Sequence, residues 1–97
     1  MSAILIVEDE RDIVSFLKPE LLHEGYQVDV ANDGAQALKK LAGMDLVLLD
    51  IMLPGLSGME VLRRLRRESA VPVIMLTARG ETFDKVQAFD LGADDYL

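Results

Sequence analysis

Acidic side chains follow two of the short apolar runs in this 97-residue chain: Glu8, Asp9 and Glu10 come directly after Ala3–Val7, and Asp50 ends the run Asp45–Asp50. Thr77 stands at the end of another such run, Val71–Thr77. The chain has no cysteine and a single histidine, His23, so any donor set built at these ends is made of oxygen alone. Oxygen donors suit a hard cation such as Mg²⁺, with Mn²⁺ as the alternative, rather than zinc. Two carboxylates ~4 Å apart repel by about 4 kcal/mol at an effective dielectric near 20. Such crowding persists only where a shared proton or a cation offsets it. A carboxylate beside a cation can attack a phosphoryl group and form an acyl phosphate. The cation neutralises the phosphoryl oxygens, and a hydroxyl such as that of Thr77 can hydrogen-bond one of them.

The elements that must bring these residues together are read from periodicity. Short β-branched runs alternate with amphipathic stretches, the pattern of a parallel sheet with crossover helices. Ala3–Val7 is the first strand. A helix from about Glu10 to Glu24 carries Ile13, Val14, Leu17, Leu21 and Leu22 as its apolar stripe and stops at Gly25, and Pro19 predicts a kink inside it. Gln27–Ala31 alternates as a half-buried or edge strand. Asn32-Asp33-Gly34 turns the chain into a second helix bearing Ala37, Leu38 and Leu41. Asp45–Asp50 is a central strand, apolar on both faces. The loop Leu53–Gly58 leads into a third helix over Met59–Arg67, and Val71–Thr77 is a fourth strand with Pro72 near its start. A weaker helix is expected over Glu81–Leu91, and Ala93–Leu97 opens a fifth strand.

Right-handed crossovers leave few arrangements for this order. The expected fold is α/β, a flavodoxin-like doubly wound parallel sheet of order 2-1-3-4-5. In such sheets the functional crevice lies beyond the carboxyl ends of the strands. Strands one and three are neighbours in this order, so Glu8, Asp9 and Asp50 are expected to converge there, with Thr77 on the next strand end.

Bulk properties narrow the classes further. Half of the residues are hydrophobic and 28% are charged, which suits one globular domain. A net charge of −7 argues against this segment binding nucleic acid by itself. The absence of cysteine fits a cytoplasmic protein. Ala3–Val7 is too short for a signal peptide or a membrane span. A dinucleotide site needs a glycine-rich turn after the first strand, where Glu8-Asp9-Glu10 would repel a pyrophosphate.

The residues resemble the CheY-like receiver domains of two-component systems along the whole chain. The matching text is V-E-D-E at Val7–Glu10, D-I-M-L-P-G-L-S-G at Asp50–Gly58, then T-A-R-G from Thr77 and G-A-D-D-Y-L at the end. The resemblance implies that Asp50 is the phosphoacceptor, and that Asp9, with Glu8 outward of it, holds Mg²⁺ together with Asp50 and the Met52 backbone carbonyl. It implies a switch pair, Thr77 and Tyr96, and a sensor histidine kinase as the phosphoryl donor. The run from Ala78 to Leu97 looks most like the OmpR/PhoB branch, whose receivers usually precede a winged-helix DNA-binding domain. In that branch Lys85, Asp90, Asp94 and Asp95 would belong to a homodimer face, and DNA would be contacted only through an output domain absent from this chain. The expected protein is a phosphoacceptor switch rather than a dedicated enzyme.

Simpler readings stand beside these. Asp9 and Asp50 taken singly are typical capping or turn residues, Thr77 is a commonplace strand end, and Tyr96 taken alone is core packing. Arg63, Arg64, Arg66 and Arg67 read as a solvated helix face. His23 suits a helix C-terminus, and Met44, Met52, Met59 and Met75 are core or loop packing. Lys85, Asp90, Asp94 and Asp95 are ordinary surface charge unless the resemblance promotes them. A pseudo-receiver that uses the same surface as a constitutive binding module is the second reading of function. A hydrolase of the haloacid-dehalogenase type would want an aspartate where Met52 stands.

The family pattern continues beyond Leu97 with Lys-Pro and a last helix, so residues 1–97 are expected to be a receiver domain incomplete at its C-terminus. Leaving several hundred Å² of apolar surface uncovered costs on the order of 10 kcal/mol at ~25 cal/mol per Å², comparable to the ~5–15 kcal/mol stability of a domain. The 97 residues alone are therefore predicted to be unstable, molten or self-associated. Sedimentation and calorimetry check this, and a sharp cooperative melt of a monomer contradicts it.

Overall fold

In the computed structural model, residues 2–53 and 55–76 are described, together with the backbone of 95–96. The chain order is β1 (Ala3–Val7), α1 (Arg11–His23), β2 (Gln27–Ala31), α2 (Gly34–Lys40), β3 (Leu46–Asp50), α3 (Gly58–Glu68), β4 (Val73–Leu76) and β5 (Asp95–Tyr96). The strands form one parallel sheet in the order β2-β1-β3-β4-β5, as the alternation of strand and helix patterns predicts. The expected helix over 81–91 lies outside the described residues.

Each strand divides its side chains between two cores, because successive Cβ atoms point to opposite faces. Leu5, Val7, Val47, Leu49, Val73 and Met75 face one side, where Ala37 of α2 and Val61, Leu62 and Leu65 of α3 close over them. Ile4, Ile6 and Leu48 face the other, packed by Val14, Leu17 and Leu21 of α1. The central strands are thus apolar on both faces because both faces are covered. β2 takes an edge, and its half-exposed alternation reflects that place.

Local signals set the helix boundaries. Asp33 caps α2 by accepting from the Gln36 N–H at 2.8 Å, while Gln36 Oε1 accepts from the Asn32 N–H at 3.1 Å. The pair satisfies two donors at the helix entrance. Ser57 caps α3 by accepting from the Glu60 N–H at 3.2 Å, so the helix starts at Gly58, one residue earlier than its apolar periodicity suggests. The fourth strand begins at Val73 rather than Val71. Pro72 has no N–H to give a neighbour, though its carbonyl still accepts from Val47 N at 2.9 Å.

The five-residue apolar stripe expected for α1 is narrower in the structure. Val14, Leu17 and Leu21, spaced three and four apart, pack on the sheet, whereas Ile13 and Leu22 are exposed at 37% and 48%. A turn of 100° per residue puts those two on the flanks of the buried line rather than on it. Phe16 projects further still, at 69% exposed. The helix runs unbroken through Pro19. Among the described residues, no helix is long and apolar enough to cross a membrane.

Leu65 is fully buried against the sheet and Phe16 is not. Leu65→Ala should therefore cost about 2–5 kcal/mol of stability, and Phe16→Ala no more than about 0.5 kcal/mol. Urea denaturation of both variants checks the contrast.

Candidate functional site

The parallel register of β1 and β3 pairs Val7 with Leu49. The next residue on each strand is the last one held in the sheet, so Glu8 and Asp50 stand side by side at the strand ends, with Asp9 one step beyond. One carboxylate oxygen from each of Glu8, Asp9 and Asp50 lies within 4.8 Å of the others. The convergence expected from strand order is therefore present for all three residues.

Their environments differ. Glu8 is 1% exposed and Asp9 is on the surface, so the expected arrangement, with Glu8 outward of Asp9, is reversed. The cause is local. Glu8 Oε2 accepts from the backbone N–H groups of Asp9 at 3.0 Å and Glu10 at 3.1 Å, donors that stand at the entrance to α1. The Glu8 N–H donates to the Ala31 carbonyl at 3.0 Å, extending the β1–β2 ladder one residue and holding Glu8 in the sheet. Asp50 is half-buried, and its Oδ1 accepts from the Met52 N–H at 3.2 Å. That bond fixes the carboxylate over the mouth of the β3–α3 loop. The Met52 side chain itself is exposed.

Burial pushes the Glu8 carboxyl up from its ordinary value of 4.5 to about 7. The Glu10 N–H works against this by favouring the charged form, and the hydrogen bond and negative charge of Asp50 reinforce it. A buried acid raised this far, beside two further carboxylates, is a charge cluster held together by the fold against its own repulsion. All the donors are oxygens, they come from two rigid strand ends, and their combined charge is negative. That donor set fits a hard divalent cation.

Of the simpler reading of Asp9 and Asp50 as capping or turn residues, the capping half is not what the structure adopts, whereas the Asp50 bond to the Met52 N–H two residues on is a turn contact. The residue before α1 is Glu10, which makes no side-chain capping bond, and Asp50 lies eight residues before α3. Arg63, Arg64 and Arg67 follow the simpler reading of a solvated helix face, and Arg66, half-buried, departs from it. Arg63 and Arg64 pair with Glu60 at 2.7 and 3.0 Å on the surface, and Arg66 donates to the Val71 carbonyl. Exposed pairs of this kind add little stability.

Thr77, Lys85, Asp90 and Asp94 lie outside the described residues. For Asp95 and Tyr96 the backbone alone is described, with Ile74 paired to Asp95 and Met75 to Tyr96. Two features near Asp50 were not expected from the sequence: the burial of Glu8 and the docking of the first turn of α3, where the Gly58 N–H donates to the Ile51 carbonyl at 2.8 Å. Period-two alternation carries no information past the last strand residue, so neither had a signal there.

A proton and a cation at this cluster would compete for Glu8. A raised carboxyl stabilises the metal-free fold below about pH 4.5 and loses that contribution as pH rises through about 7. Asp29 and Glu60 have lowered carboxyls and act in the opposite sense, only on the acid side of their ordinary values of 3.8 and 4.5. Between pH 4.5 and 7 the metal-free chain should thus lose stability through Glu8, while its affinity for Mg²⁺ rises. Calorimetric titration with Mg²⁺ across this range is the check. Glu8→Gln should flatten both trends, and unchanged slopes would contradict the assignment.

Residues 4–97 match the response regulator receiver domain family. A relative from Staphylococcus epidermidis, the response regulator ArlR, is 48% identical across the whole chain, which spans 45% of that protein's length. The BeF₃-activated N-terminal receiver domain of RstA from Klebsiella pneumoniae superposes with a TM-score of 0.95 at 34% identity, covering 99% of this chain and 84% of that one. The chemotaxis protein CheY4 of Vibrio cholerae superposes at 0.94 with 30% identity, covering 100% and 85%. Sheet order, carboxylate cluster and family match agree: this chain belongs to the response regulator receiver domains of two-component systems.

Proposed function

We propose that Asp50 accepts a phosphoryl group from the phosphohistidine of a sensor histidine kinase, in a reaction that needs Mg²⁺ (or Mn²⁺). The observation that carries this reading is the meeting of Glu8, Asp9 and Asp50 at the ends of two adjacent parallel strands. Glu8, Asp9, Asp50 and the Met52 carbonyl would hold the metal. When bound, the metal supplies positive charge that offsets the carboxylates and the oxygens of the incoming phosphoryl group.

The residues divide the remaining work. The Met52 N–H holds one Asp50 oxygen, which leaves the second as nucleophile. That oxygen bonds to phosphorus as the P–N bond to the donor imidazole breaks. The imidazole nitrogen keeps the electron pair and takes up a proton. Hydrolysis later reverses the gain: a water oxygen bonds to phosphorus, the bond to Asp50 breaks, and the carboxylate is restored as inorganic phosphate leaves. Thr77 would hydrogen-bond a phosphoryl oxygen, and Tyr96 would follow the movement of Thr77 as the switch. The BeF₃-activated state of the RstA domain supports the reading, since beryllium fluoride on a carboxylate has the tetrahedral shape and charge of an acyl phosphate.

The output follows from the family and from relatives about twice as long as this chain. Lys85, Asp90, Asp94 and Asp95 would form a homodimer face, and transcription would be controlled through a DNA-binding domain outside these residues. The protein would act in the cytoplasm as a switch with self-catalysed phosphotransfer and hydrolysis, not as a dedicated enzyme.

Incubation with acetyl phosphate followed by intact-mass measurement is the test. One labile phosphoryl adduct is expected, absent without Mg²⁺ and absent in Asp50→Ala. An adduct that persists in Asp50→Ala overturns the assignment. A folded sample with no adduct, even when the chain is extended past Leu97, supports a constitutive binding module in its place.

A further inference from the structure

The seat of Asp50 depends on a residue with no side chain. Gly58, the first residue of α3, lies directly on the backbone at the end of β3. A Cβ placed on Gly58 would stand 2.6 Å from the Ile51 Cα and 2.8 Å from the Asp50 carbonyl carbon, and would overlap the Asp50 carbonyl oxygen. Real Cβ atoms essentially never approach within 3.0 Å of such neighbours, and all three here are backbone, with no flexible end to swing aside. The Gly58 N–H also donates to the Ile51 carbonyl at 2.8 Å. Ser57 anchors the same turn through its cap on Glu60.

We infer that Gly58 is a positioning residue for Asp50, a role that rests on the reading of Asp50 as phosphoryl acceptor. The chain of contacts is short. Gly58 seats α3 on Asp50 and Ile51, this seating fixes the course of the backbone from Asp50 to Met52, and the Met52 N–H orients the Asp50 carboxylate. A single added methyl must push α3 away from the strand end or displace the strand end itself. Either movement spoils the donor set at 50 and 52 while leaving the core beneath α3 able to form. A displacement near 1 Å is enough to cost about 100-fold in a positioned reaction.

Gly34 supplies the control. A Cβ there would meet Val61 Cγ2 at 2.5 Å and Leu56 at 3.3 Å, side-chain atoms between α2 and α3 that do not carry the strand end. Gly34→Ala therefore stresses the packing of α3 without touching the Asp50 backbone.

The experiment compares Gly58→Ala with Gly34→Ala in the full chain. It reads Mg²⁺ affinity by calorimetry, the Met52 amide resonance, and the rate of adduct formation against acetyl phosphate concentration. Gly58→Ala should weaken Mg²⁺ roughly 10- to 100-fold, shift the Met52 amide, and lower the rate at saturating acetyl phosphate. Gly34→Ala should lower thermal stability and leave all three near wild type. Equal Mg²⁺ affinity and rate in folded Gly58→Ala overturn the inference, as does an equal loss in Gly34→Ala. Should Gly58→Ala fail to fold, Ser57→Ala frees the same turn without adding bulk, and it must weaken Mg²⁺ more than Gly34→Ala does or the inference falls. If the wild type forms no adduct, the acceptor reading fails separately. Gly58 is then judged on Mg²⁺ affinity and the Met52 amide alone.

Discussion

Carboxylates do not gather unless something forces them to, and here the force is the register of two parallel strands. Pairing of Val7 with Leu49 sets Glu8 and Asp50 next to each other at the strand ends, and Asp9 follows within reach. The three oxygens repel, and Glu8, pushed up to about 7 first by burial and further by Asp50, carries the consequence. The fold tolerates this because the strands that carry the residues are deeply buried. Ile6, Val7 and Leu49 have no solvent exposure. Slipping either strand by one residue to relieve the charge would turn its whole apolar set to the wrong face.

Everything around the cluster serves to hold those ends still. α1 covers one face of the sheet through Val14, Leu17 and Leu21, and its entrance supplies the backbone N–H that receives Glu8. α2 and α3 cover the other face, and α3 is capped by Ser57 at the point where its first turn reaches the β3 end. The site is thus made of strand ends and helix starts, the places where backbone donors are unsatisfied and available. A phosphoryl group and its counter-cation need such preorganised partners more than they need a deep cavity.

Much of this was readable from the residues because the sheet is parallel and covered on both faces. Continuous apolar runs such as Leu46–Leu49 announce central strands, and strand order then places Asp50 beside Glu8 and Asp9. The width of the α1 stripe was less readable, since apolar residues at positions 13 and 22 fit the helical period yet fall on the flanks. The inward turn of Glu8 could not be read at all. It depends on the backbone N–H groups of Asp9 and Glu10, whose direction is set only once α1 has formed. The role of Gly58 was equally hidden, because a glycine at a loop end signals a turn as readily as a close approach. Thr77, Lys85, Asp90 and Asp94 lie outside the described residues, and the roles given to them rest on family likeness.

The central claim is that one cation binds where β1 and β3 end. Titration with Mn²⁺, followed by paramagnetic broadening of backbone amide resonances, tests it most directly. At low Mn²⁺ the broadening is expected to be strongest at residues 8–10 and 50–52 and to fall off with distance from them, excess Mg²⁺ should reverse it, and Asp50→Asn should remove it. Broadening centred on other acidic positions such as Glu20, Glu24 and Asp29, or unaffected by Asp50→Asn, would contradict it.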